Sequence, residues 1–438
     1  MATAEVLTPS QGIARTSLIV LVLINILNIY DRTVGGALAE PMRHEFGLND
    51  TQIGWIGTAF TLLYAIIGLP LGRVADTRSR KKLLSAGVAL WGTLTGFAAW
   101  ATNVPMLIFS RLGLGIGEAA CAPTATSWIG DLFPAHQRSK PLAMFMLGVP
   151  IGGGLSFLFS GPIAQAFGWR RAMVVAALPA LLLAPLVLFL REPARGATEH
   201  RTANAQSSVW EVLRVPTFWW ITASGALINF NLYAVATFLS PFFTRIHGLN
   251  VRDAGLATGA VFLVGGVAGG SFGGFWGDSI VRQRPNGRML AAAIAALVAV
   301  PPAYIAVRQG AGGLALTITL LTLTYALLNT YYGLVYASIQ DIVAPALRAT
   351  AMAVYFLFMY LGGASFGPVL TGKLSDYLAR QAATAAGSAM TEGFKAVGLQ
   401  QAMLLIPALC LGLGLVLWAG SRTLARDLER QRYSAQNA

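Results

Sequence analysis

Long apolar runs alternate with short polar loops along almost the whole chain. A helix that crosses a bilayer needs about 20 mostly apolar residues, and twelve runs approach or exceed this length. The predicted spans are 16–38, 52–72, 82–102, 104–128, 139–166 and 169–190, followed by 216–243, 252–276, 287–307, 313–340, 347–372 and 396–420. The pattern therefore predicts an all-α membrane protein with twelve transmembrane helices.

A polar stretch at 191–215 divides these spans into two sets of six. It begins Arg191-Glu192-Pro193 and is too polar to cross a membrane. We therefore expect an N-terminal six-helix bundle over 1–190, a cytoplasmic linker over 191–215, and a C-terminal six-helix bundle with a cytoplasmic tail over 216–438.

The two sets share three short sequence features in the same order. These features are the pairs Asp131/Arg138 and Asp341/Arg348, the sequences Gly72-Arg-Val-Ala-Asp76 and Gly274-Phe-Trp-Gly-Asp278, and the Gly-Pro steps at 161–162 and 367–368. Their order indicates a duplicated six-helix unit. Transporters of the major facilitator superfamily are built from such a parallel repeat, with a substrate site near the midplane between two halves that rock against each other.

The composition agrees with a membrane protein. Hydrophobic residues make up 55% of the chain and charged residues only 11%, whereas soluble proteins carry roughly 25% charged residues. The net charge of +13 comes from Lys and Arg in short loops, most densely at 73–82. This distribution favours a role in membrane topology over nucleic-acid binding. It predicts cytoplasmic termini, in the inner (plasma) membrane if the protein is bacterial.

Nothing in the sequence indicates a metal, a nucleotide or a catalytic nucleophile. Cys121 and Cys410 lie inside apolar runs, and the four histidines lack the spacing of a zinc site. The glycine-rich stretches 148–154 and 265–270 lack the Lys-Ser/Thr ending of a phosphate loop. We therefore expect neither an enzyme nor a bound cofactor.

The loop after the second span resembles the signature loop of the major facilitator superfamily. It reads Gly72-Arg-Val-Ala-Asp76-Thr-Arg78-Ser-Arg80-Lys81-Lys82, with Thr77 and Ser79 where Arg and Gly are usual. The resemblance implies that Asp76 latches the cytoplasmic gate against the other half, with support from Arg80 and Lys81. A loop that only sets topology would explain the basic residues but not Asp76 among them. Further gate candidates are Asp131, Arg138, Asp278 and Arg348.

Four stretches of the first half resemble the Spinster family more narrowly. They are Asn25-Ile-Leu-Asn28-Ile-Tyr30-Asp31-Arg32, Ser110-Arg111-Leu-Gly-Leu-Gly115-Ile-Gly117-Glu118-Ala119, Asp131-Leu-Phe133 with Gln137-Arg138-Ser139, and Phe167-Gly-Trp-Arg170. Spinster proteins export sphingosine-1-phosphate or lysophospholipids in animals, so the resemblance implies an amphiphilic lipid as substrate. The second half resembles only the superfamily.

Asp31, Arg32, Arg111 and Glu118 fall inside predicted spans. An ionisable residue at the bilayer centre costs roughly 2.5–3.5 kcal/mol on insertion scales, which makes each a functional hypothesis. Arg111 and Glu118 are two helical turns apart and share a face. We expect Asp31 and Glu118 to carry protons while Arg111 switches partners, or Arg32 or Arg111 to hold an anionic headgroup. The alternative is a fixed ion-pair network between the first and fourth spans.

Uncharged polar residues accompany these charges. Asn25 and Asn28 lie on the face of the first span that leads to them. The second half offers a set of asparagines and aromatic residues, here called the aromatic wall. Its members are Asn229, Asn231, Tyr233 and Phe238 on the seventh span and Tyr325, Asn329, Tyr332 and Tyr336 in one stripe of the tenth. Polar-tipped aromatics suit an amphiphile with a polar head and an apolar body, although ordinary helix packing gives the same pattern.

The sequence therefore predicts a proton-coupled secondary active transporter that works by alternating access and exports a lysolipid or sphingoid amphiphile. A transporter of a small organic anion or drug is the alternative within this class. A non-transporting membrane sensor or a channel is the alternative outside it. The expected partners are the small substrate, protons and the lipid bilayer, without nucleic acid, and the chain is expected to be a monomer.

Overall fold

The structure is a computed structural model that describes residues 11–134, 137, 139–194, 209–281, 284, 286–343 and 347–436. The helices of the first half are α1 (Gln11–Ala37), α2 (Ala39–Phe46), α3 (Asp50–Thr77), α4 (Arg80–Ala98), α5 (Val104–Ala119), α6 (Cys121–Leu132), α7 (Ser139–Met146), α8 (Gly148–Phe167) and α9 (Trp169–Phe189). The later helices are α10 (Val209–Leu213), α11 (Pro216–His247), α12 (Val251–Ala260), α13 (Gly266–Val281), α14 (Gly287–Val298), α15 (Val300–Arg308), α16 (Leu314–Asp341), α17 (Arg348–Met359), α18 (Gly367–Ala385), α19 (Glu392–Ala402) and α20 (Leu405–Gln436).

These helices form the twelve predicted spans. Eleven stretches of the described residues are long and apolar enough to cross a membrane, from Gly12–Ala37 to Glu392–Glu429. The remaining span is α4, a 19-residue helix that begins with three basic residues. Because the number of spans is even, α1 begins and α20 ends at the same end of the bundle, here called the termini end. The opposite end, which carries α2, is called the distal end.

Several spans are interrupted where the hydropathy pattern predicts continuous helices. The fourth span breaks at Ala120, between α5 and α6 and two residues after Glu118. Single π-turns occupy Val261–Gly265 in the eighth span and Tyr360–Ala364 in the eleventh, and such turns occur frequently at functional sites. A short helix, α10, also lies within the stretch expected to be an exposed linker. Hydropathy measures how long an apolar stretch is and carries no information on its hydrogen bonding, so it does not reveal these interruptions.

The two halves meet where α3 packs on α18 and where α8 packs on α12. Glycines permit the close approach: a methyl group on Gly255 of α12 would lie 2.8 Å from the carbonyl oxygen of Phe157 in α8. Thr58 of α3 donates a 2.6 Å hydrogen bond to the carbonyl of Ser365, just past the π-turn of the eleventh span. Contacts of this kind run from the middle of the bundle to its distal end, so the distal end is closed.

At the termini end, each half contains an equivalent ion pair. Arg80 at the start of α4 contacts Asp131 at 2.5 Å and Glu192 at 3.2 Å, and its side chain is 0% exposed. In the second half, Arg288 at the start of α14 contacts Asp341 at 2.7 Å. The sequence repeat had already aligned Asp131 with Asp341. The equivalent pairs support a duplicated unit, and these contacts of Arg80 and Asp131 stay within their own half.

The carboxylate of Glu192 also caps α4. It accepts hydrogen bonds from the backbone N–H groups of Arg80 and Lys81 and from the Ser79 hydroxyl. Burial alone would raise the pKa of Glu192, but these hydrogen bonds hold that pKa below its ordinary value. Arg80 therefore joins the third span, the fourth span and the loop after the sixth.

We predict that Arg80→Ala destabilises the protein strongly, because it leaves two partly buried carboxylates without their cation. Removing one partner of a buried ion pair costs about 3 kcal/mol or more. The thermal midpoint of the detergent-purified protein should fall by several degrees. The neighbouring exposed residue supplies the control, Lys82→Ala, which should leave the midpoint within experimental error. Equal midpoints for the two variants would contradict the anchoring role.

Candidate functional site

An ion pair is buried between the first and fourth spans near the middle of the bundle. The Nε atom of Arg32 on α1 donates to Oε2 of Glu118 on α5 at 2.7 Å. The side chains are only 6% and 0% exposed. Glu118 stands two residues before the break at Ala120, so its position on a helix end is set by that interruption.

Aromatic rings surround the guanidinium of Arg32. Its carbon lies 4.3 Å from the ring centre of Tyr64 and 5.3 Å from that of Phe60, both on α3. These are cation–π distances, and such contacts gain strength when they are desolvated. The Nη1 atom of Arg32 also donates to the hydroxyl of Tyr360 at 3.3 Å. Since Tyr360 begins the π-turn of the eleventh span, Arg32 links the ionic site to the second half.

Asp31 and Arg111 form a second part of the site. The Nη1 atom of Arg111 donates to the backbone carbonyl of Asp31 at 3.0 Å, not to its carboxylate. Asp31 is 1% exposed, and within the described residues neither oxygen of its carboxylate has a hydrogen-bond partner. An ionised carboxylate without partners is costly to bury. The site therefore contains one ion pair, between Arg32 and Glu118, and one carboxyl group, that of Asp31, which has no direct hydrogen-bond partner among the described residues.

The pairing of these groups differs from the sequence prediction in one respect. Arg111 was expected to exchange partners while Asp31 and Glu118 carry protons. In this state Arg32 holds Glu118, and Arg111 bonds the backbone carbonyl of Asp31. The intervening Gly115 does not leave room for Arg111 to reach Glu118 along the helix face that they share. A methyl group on Gly115 would lie 2.7 Å from the Phe60 carbonyl oxygen, so α3 fills this space.

The two predicted asparagines of the first span have different environments. The side chain of Asn25 donates to the carbonyl of Phe145 at 2.7 Å and ties α1 to α7. Asn28 is 2% exposed, and its Nδ2 group has no hydrogen-bond partner among the described residues. Between them and the charges, the hydroxyls of Tyr30 and Ser160 are 2.7 Å apart. Asn25 therefore serves packing between helices, whereas Asn28 keeps an unused donor beside the ionic site.

The predicted aromatic wall of the second half is partly assembled. The hydroxyl of Tyr332 donates to Oδ1 of Asn229 at 3.3 Å, and the rings of Tyr332 and Tyr336 lie 5.4 Å apart. The ring of Tyr233 packs 6.2 Å from that of Tyr360. Asn329 donates to the carbonyl of Tyr325 one turn earlier in α16, at 2.8 Å.

Two members of the predicted wall serve packing within the second half. The Nδ2 group of Asn231 lies 3.4 Å from the carbonyl of Ile406 in α20, so this side chain contacts the twelfth span. Phe238 is 0% exposed and belongs to the apolar core. The sequence predicts a lining position for both. In this state Asn231 is directed to α20 and borders a small cavity, and Phe238 is directed to the apolar core.

The remaining gate candidates whose backbone is described lie at the termini end. Lys81 follows Arg80 in the first turn of α4, and Arg348 begins α17 with an exposed side chain. Asp76 ends the second span within α3, and Asp278 lies within α13. Their side chains lie outside the described part of the structure, as does the whole of Arg138.

A second ionic network, which the sequence analysis did not identify, closes the distal end. Arg245 of α11 donates to Glu40 at 3.0 Å and to Asp50 at 2.9 Å, and all three side chains are at most 5% exposed. Arg43 of α2 contacts Glu392 of α19 at 2.8 Å. Burial raises the pKa of Glu40, but Arg245 and Arg43 outweigh this effect and hold that pKa below its ordinary value. The network joins the first half to the second.

These residues were missed because they lie at the ends of spans, where hydropathy assigns loops. One signal was available: Glu40 and Arg43 are three residues apart, which places them on one face if the segment is helical. Their partners in the second half are about 200 residues or more away in sequence. No local pattern connects residues at that separation.

Comparison with known proteins gives one consistent result. The sequence profile of the Major Facilitator Superfamily matches residues 21–368. The chain is 33% identical over 420 residues to an MFS-type efflux pump of Mycolicibacterium smegmatis, covering 93% of each protein. It is 27% identical over 376 residues to protein spinster of Drosophila melanogaster, covering 82% of this chain and 61% of that protein.

A solved structure has the same fold. It is the crystal structure of a bacterial homologue of the human lysosomal transporter Spinster, in an inward-facing and unoccupied conformation. The TM-score is 0.85 at 26% identity, and the match covers 96% of this chain and 99% of that one. The predicted resemblance to Spinster proteins is thus confirmed. The chain belongs to the Major Facilitator Superfamily, resembles the Spinster proteins within it, and is a membrane transporter rather than an enzyme.

Proposed function

We propose that this transporter is proton-coupled, works by alternating access and exports a lysolipid or sphingoid amphiphile. The observation that carries the proposal is the buried Arg32–Glu118 ion pair beside the unpaired carboxyl group of Asp31. Ionisable residues inside membrane spans mark ion pathways and proton relays. Arg32 contacts Tyr360 of the other half, and transporters of this architecture bind substrate and coupling ions between their two repeated halves.

The proposal includes an orientation and a conformational state. The bias of Lys and Arg toward the loops of the termini end favours a cytoplasmic location for that end. The distal end, closed by Arg245 and its partners, then faces outward, and the state is inward-facing. The bacterial Spinster homologue of similar fold was solved in an inward-facing conformation. We further propose two halves at 1–190 and 216–438, a monomer, and the inner membrane if the protein is bacterial.

A proton can act on this site through the partners of Arg32. Protonation of Glu118 would remove the charge that holds Arg32, since a neutral carboxyl group pairs weakly with a cation. Arg32 would then be free to break its contact with Tyr360 in the second half. Protonation of Asp31 would remove a buried charge that lacks a direct hydrogen-bond partner in this state. Arginine itself remains charged throughout, so in this scheme Arg32 replaces Arg111 as the switch.

The substrate class rests on the guanidinium of Arg32 and on the tyrosines of the second half. A guanidinium can grip a phosphate or carboxylate with two parallel hydrogen bonds, and the tyrosines of α16 offer apolar faces with polar tips. The similarity to Spinster proteins favours a single-chain lipid. A small organic anion or drug is the second candidate, because the relative from Mycolicibacterium smegmatis is named an efflux pump.

The gate at the termini end is proposed for the opposite, outward-facing state. When that end closes, Asp76, supported by Lys81, would latch against the second half. Arg80, which the sequence analysis placed in the same gate, would support the latch indirectly by anchoring the start of α4 through Asp131 and Glu192. Exposed charge pairs contribute only about 0–1 kcal/mol each, which suits contacts that must open in every cycle. The repeat assigns supporting positions to Asp131, Arg138, Asp278 and Arg348.

We predict that Glu118→Gln abolishes transport driven by a pH gradient while substrate exchange at equal pH continues. A neutral side chain at this position cannot carry a proton, but it keeps a hydrogen-bond acceptor for Arg32. Flux into proteoliposomes, with and without a pH gradient, measures both activities. Gradient-driven flux should fall at least tenfold with little change in the thermal midpoint. Glu211→Gln, on an exposed carboxylate of α10, is the control.

The result for Asp31→Asn identifies how many carboxyl groups titrate. If both carry protons, Asp31→Asn loses gradient-driven flux as Glu118→Gln does. If the pH gradient still drives full flux through Glu118→Gln, the proton-carrier role is wrong. If neither variant alters gradient-driven flux, the coupling part of the proposal fails.

We predict that binding strengthens with acyl-chain length. Each methylene group buried contributes about 0.8 kcal/mol, so lysolipids with one headgroup and increasing chain length should raise the thermal midpoint progressively. The free headgroup and a sugar acid are the controls and should have little effect. Stabilisation that is independent of chain length, or equally large with the free anion, would favour the small-anion alternative.

A further inference from the structure

The distal end of α3 is capped by a residue of the other half. Asp376 of α18 accepts hydrogen bonds from the backbone N–H of Asp50 at 3.0 Å, the backbone N–H of Thr51 at 2.8 Å and the Thr51 hydroxyl at 2.6 Å. These are the first two residues of α3. A carboxylate at this position satisfies unpaired N–H groups and lies at the favourable end of the helix dipole.

The local sequence of α3 caps only part of its own N-terminus. Asn49 accepts a hydrogen bond from the N–H of Gln52, and Gln52 returns one to the N–H of Asn49. The N–H of Ile53 is bonded to the Asn49 carbonyl. The two remaining donors, at Asp50 and Thr51, are those that Asp376 accepts. The helix is therefore completed by the second half only while the distal end is closed.

Gly372 and Ser375, which precede Asp376 in α18, also pack against the start of α3. A methyl group on Gly372 would overlap the backbone carbonyl of Asp50, so only glycine allows this approach. The hydroxyl of Ser375 donates to the Asp50 carboxylate at 2.6 Å, and the same carboxylate receives Arg245 at 2.9 Å. Glycine, serine and aspartate thus act together within five consecutive residues.

The five residues repeat the pattern of the gate signature in the first half. The eleventh span reads Gly372-Lys-Leu-Ser-Asp376, and the second span ends Gly72-Arg-Val-Ala-Asp76. Each has glycine, a basic residue and then aspartate four positions after the glycine. The two spans are packing partners across the interface, and they run in opposite directions. Asp76 therefore lies at the termini end, where α17 begins, and Asp376 lies at the distal end, where α3 begins.

We infer that Gly372–Asp376 is a second gate motif, which latches the distal end as the signature loop is proposed to latch the termini end. Asp376 holds the distal end closed by capping α3, and opening of that end exposes the two N–H groups to water. A cavity of about 80 Å³, lined in part by Asn49, Asp50 and Asp376, already borders the contact and has room for a few water molecules. The cap can therefore be exchanged for solvent during each cycle.

Distance measurements between the halves test this latch without any transport assay, so they do not depend on proton coupling. Spin labels at Thr102→Cys and Ser388→Cys occupy exposed distal positions of the first and second halves. Asp376→Asn removes the charge and places an amide N–H against the donors of α3. The ratio of open to closed distal distances should rise roughly tenfold, because hydrogen bonds to a charged group are among the stronger ones.

Matched variants separate the latch from a general loss of structure. Asp253→Asn changes an exposed distal carboxylate that bonds Asn250 in its own loop, and it should leave the ratio unchanged. Gly372→Ala should also open the distal end without altering a charge. Gly68→Ala in α3 has no atom near the added methyl group and is the control for Gly372→Ala.

A double variant tests whether the two motifs oppose each other. Adding Asp76→Asn to Asp376→Asn weakens the proposed latch at the termini end as well, so it should move the ratio of open to closed distal distances back toward that of the wild type.

The inference is overturned if Asp376→Asn has the distance distribution of the wild type and of Asp253→Asn. It is also overturned if Asp76→Asn increases the opening caused by Asp376→Asn, because the two motifs would then not oppose each other. Loss of pH-driven flux in Glu118→Gln has no bearing on either result.

Discussion

The cost of burying charge in a membrane governs the arrangement of this protein. Four ionisable side chains are buried within the first and fourth spans, and each must find a partner there or lose its charge. Arg32 is held by Glu118, by two aromatic rings of α3 and by the hydroxyl of Tyr360. Asp31 has no hydrogen-bond partner for its carboxylate within the described residues. Any change in protonation therefore changes which contacts between the spans are favourable.

The same constraint acts at both ends of the bundle, where it can be relieved by water. At the distal end, Arg245, Arg43 and Asp376 of different spans join the halves through carboxylates and a helix N-terminus. Glu392 is 60% exposed and a cavity borders Asp376, so water can compete for these two carboxylates. Arg245, Glu40 and Asp50 are at most 5% exposed and form the buried part of the same network. Arg80 is different, because it binds Asp131 of its own half and Glu192 of the loop that directly follows that half. It stabilises a half, whereas the distal groups join two halves.

The features that could be predicted from the sequence are those that leave a recognisable pattern within one short stretch of the chain or in its repeat. Twelve spans follow from apolar length, and the correspondence of Asp131 with Asp341 follows from the repeat. The repeat did not predict that their partners are Arg80 and Arg288. Glu118 and Arg32 stand out because charges are rare inside spans. Their mutual contact was not predictable, since helix rotation decides whether Arg32 or Arg111 reaches Glu118. Tyr360 and Asp376 were missed for a related reason: a tyrosine inside a span and an aspartate near a span end are ordinary until the opposite half is in place.

The central claim, that movement of a substrate is coupled to a proton through this ionic site, is tested most directly by a reversal measurement. Proteoliposomes are held at zero membrane potential, and the substrate gradient that stops net flux is measured at several imposed pH gradients. Coupling to one proton predicts that the balancing substrate ratio changes about tenfold for each pH unit. A balancing ratio that stays at one, whatever the pH gradient, would contradict the account.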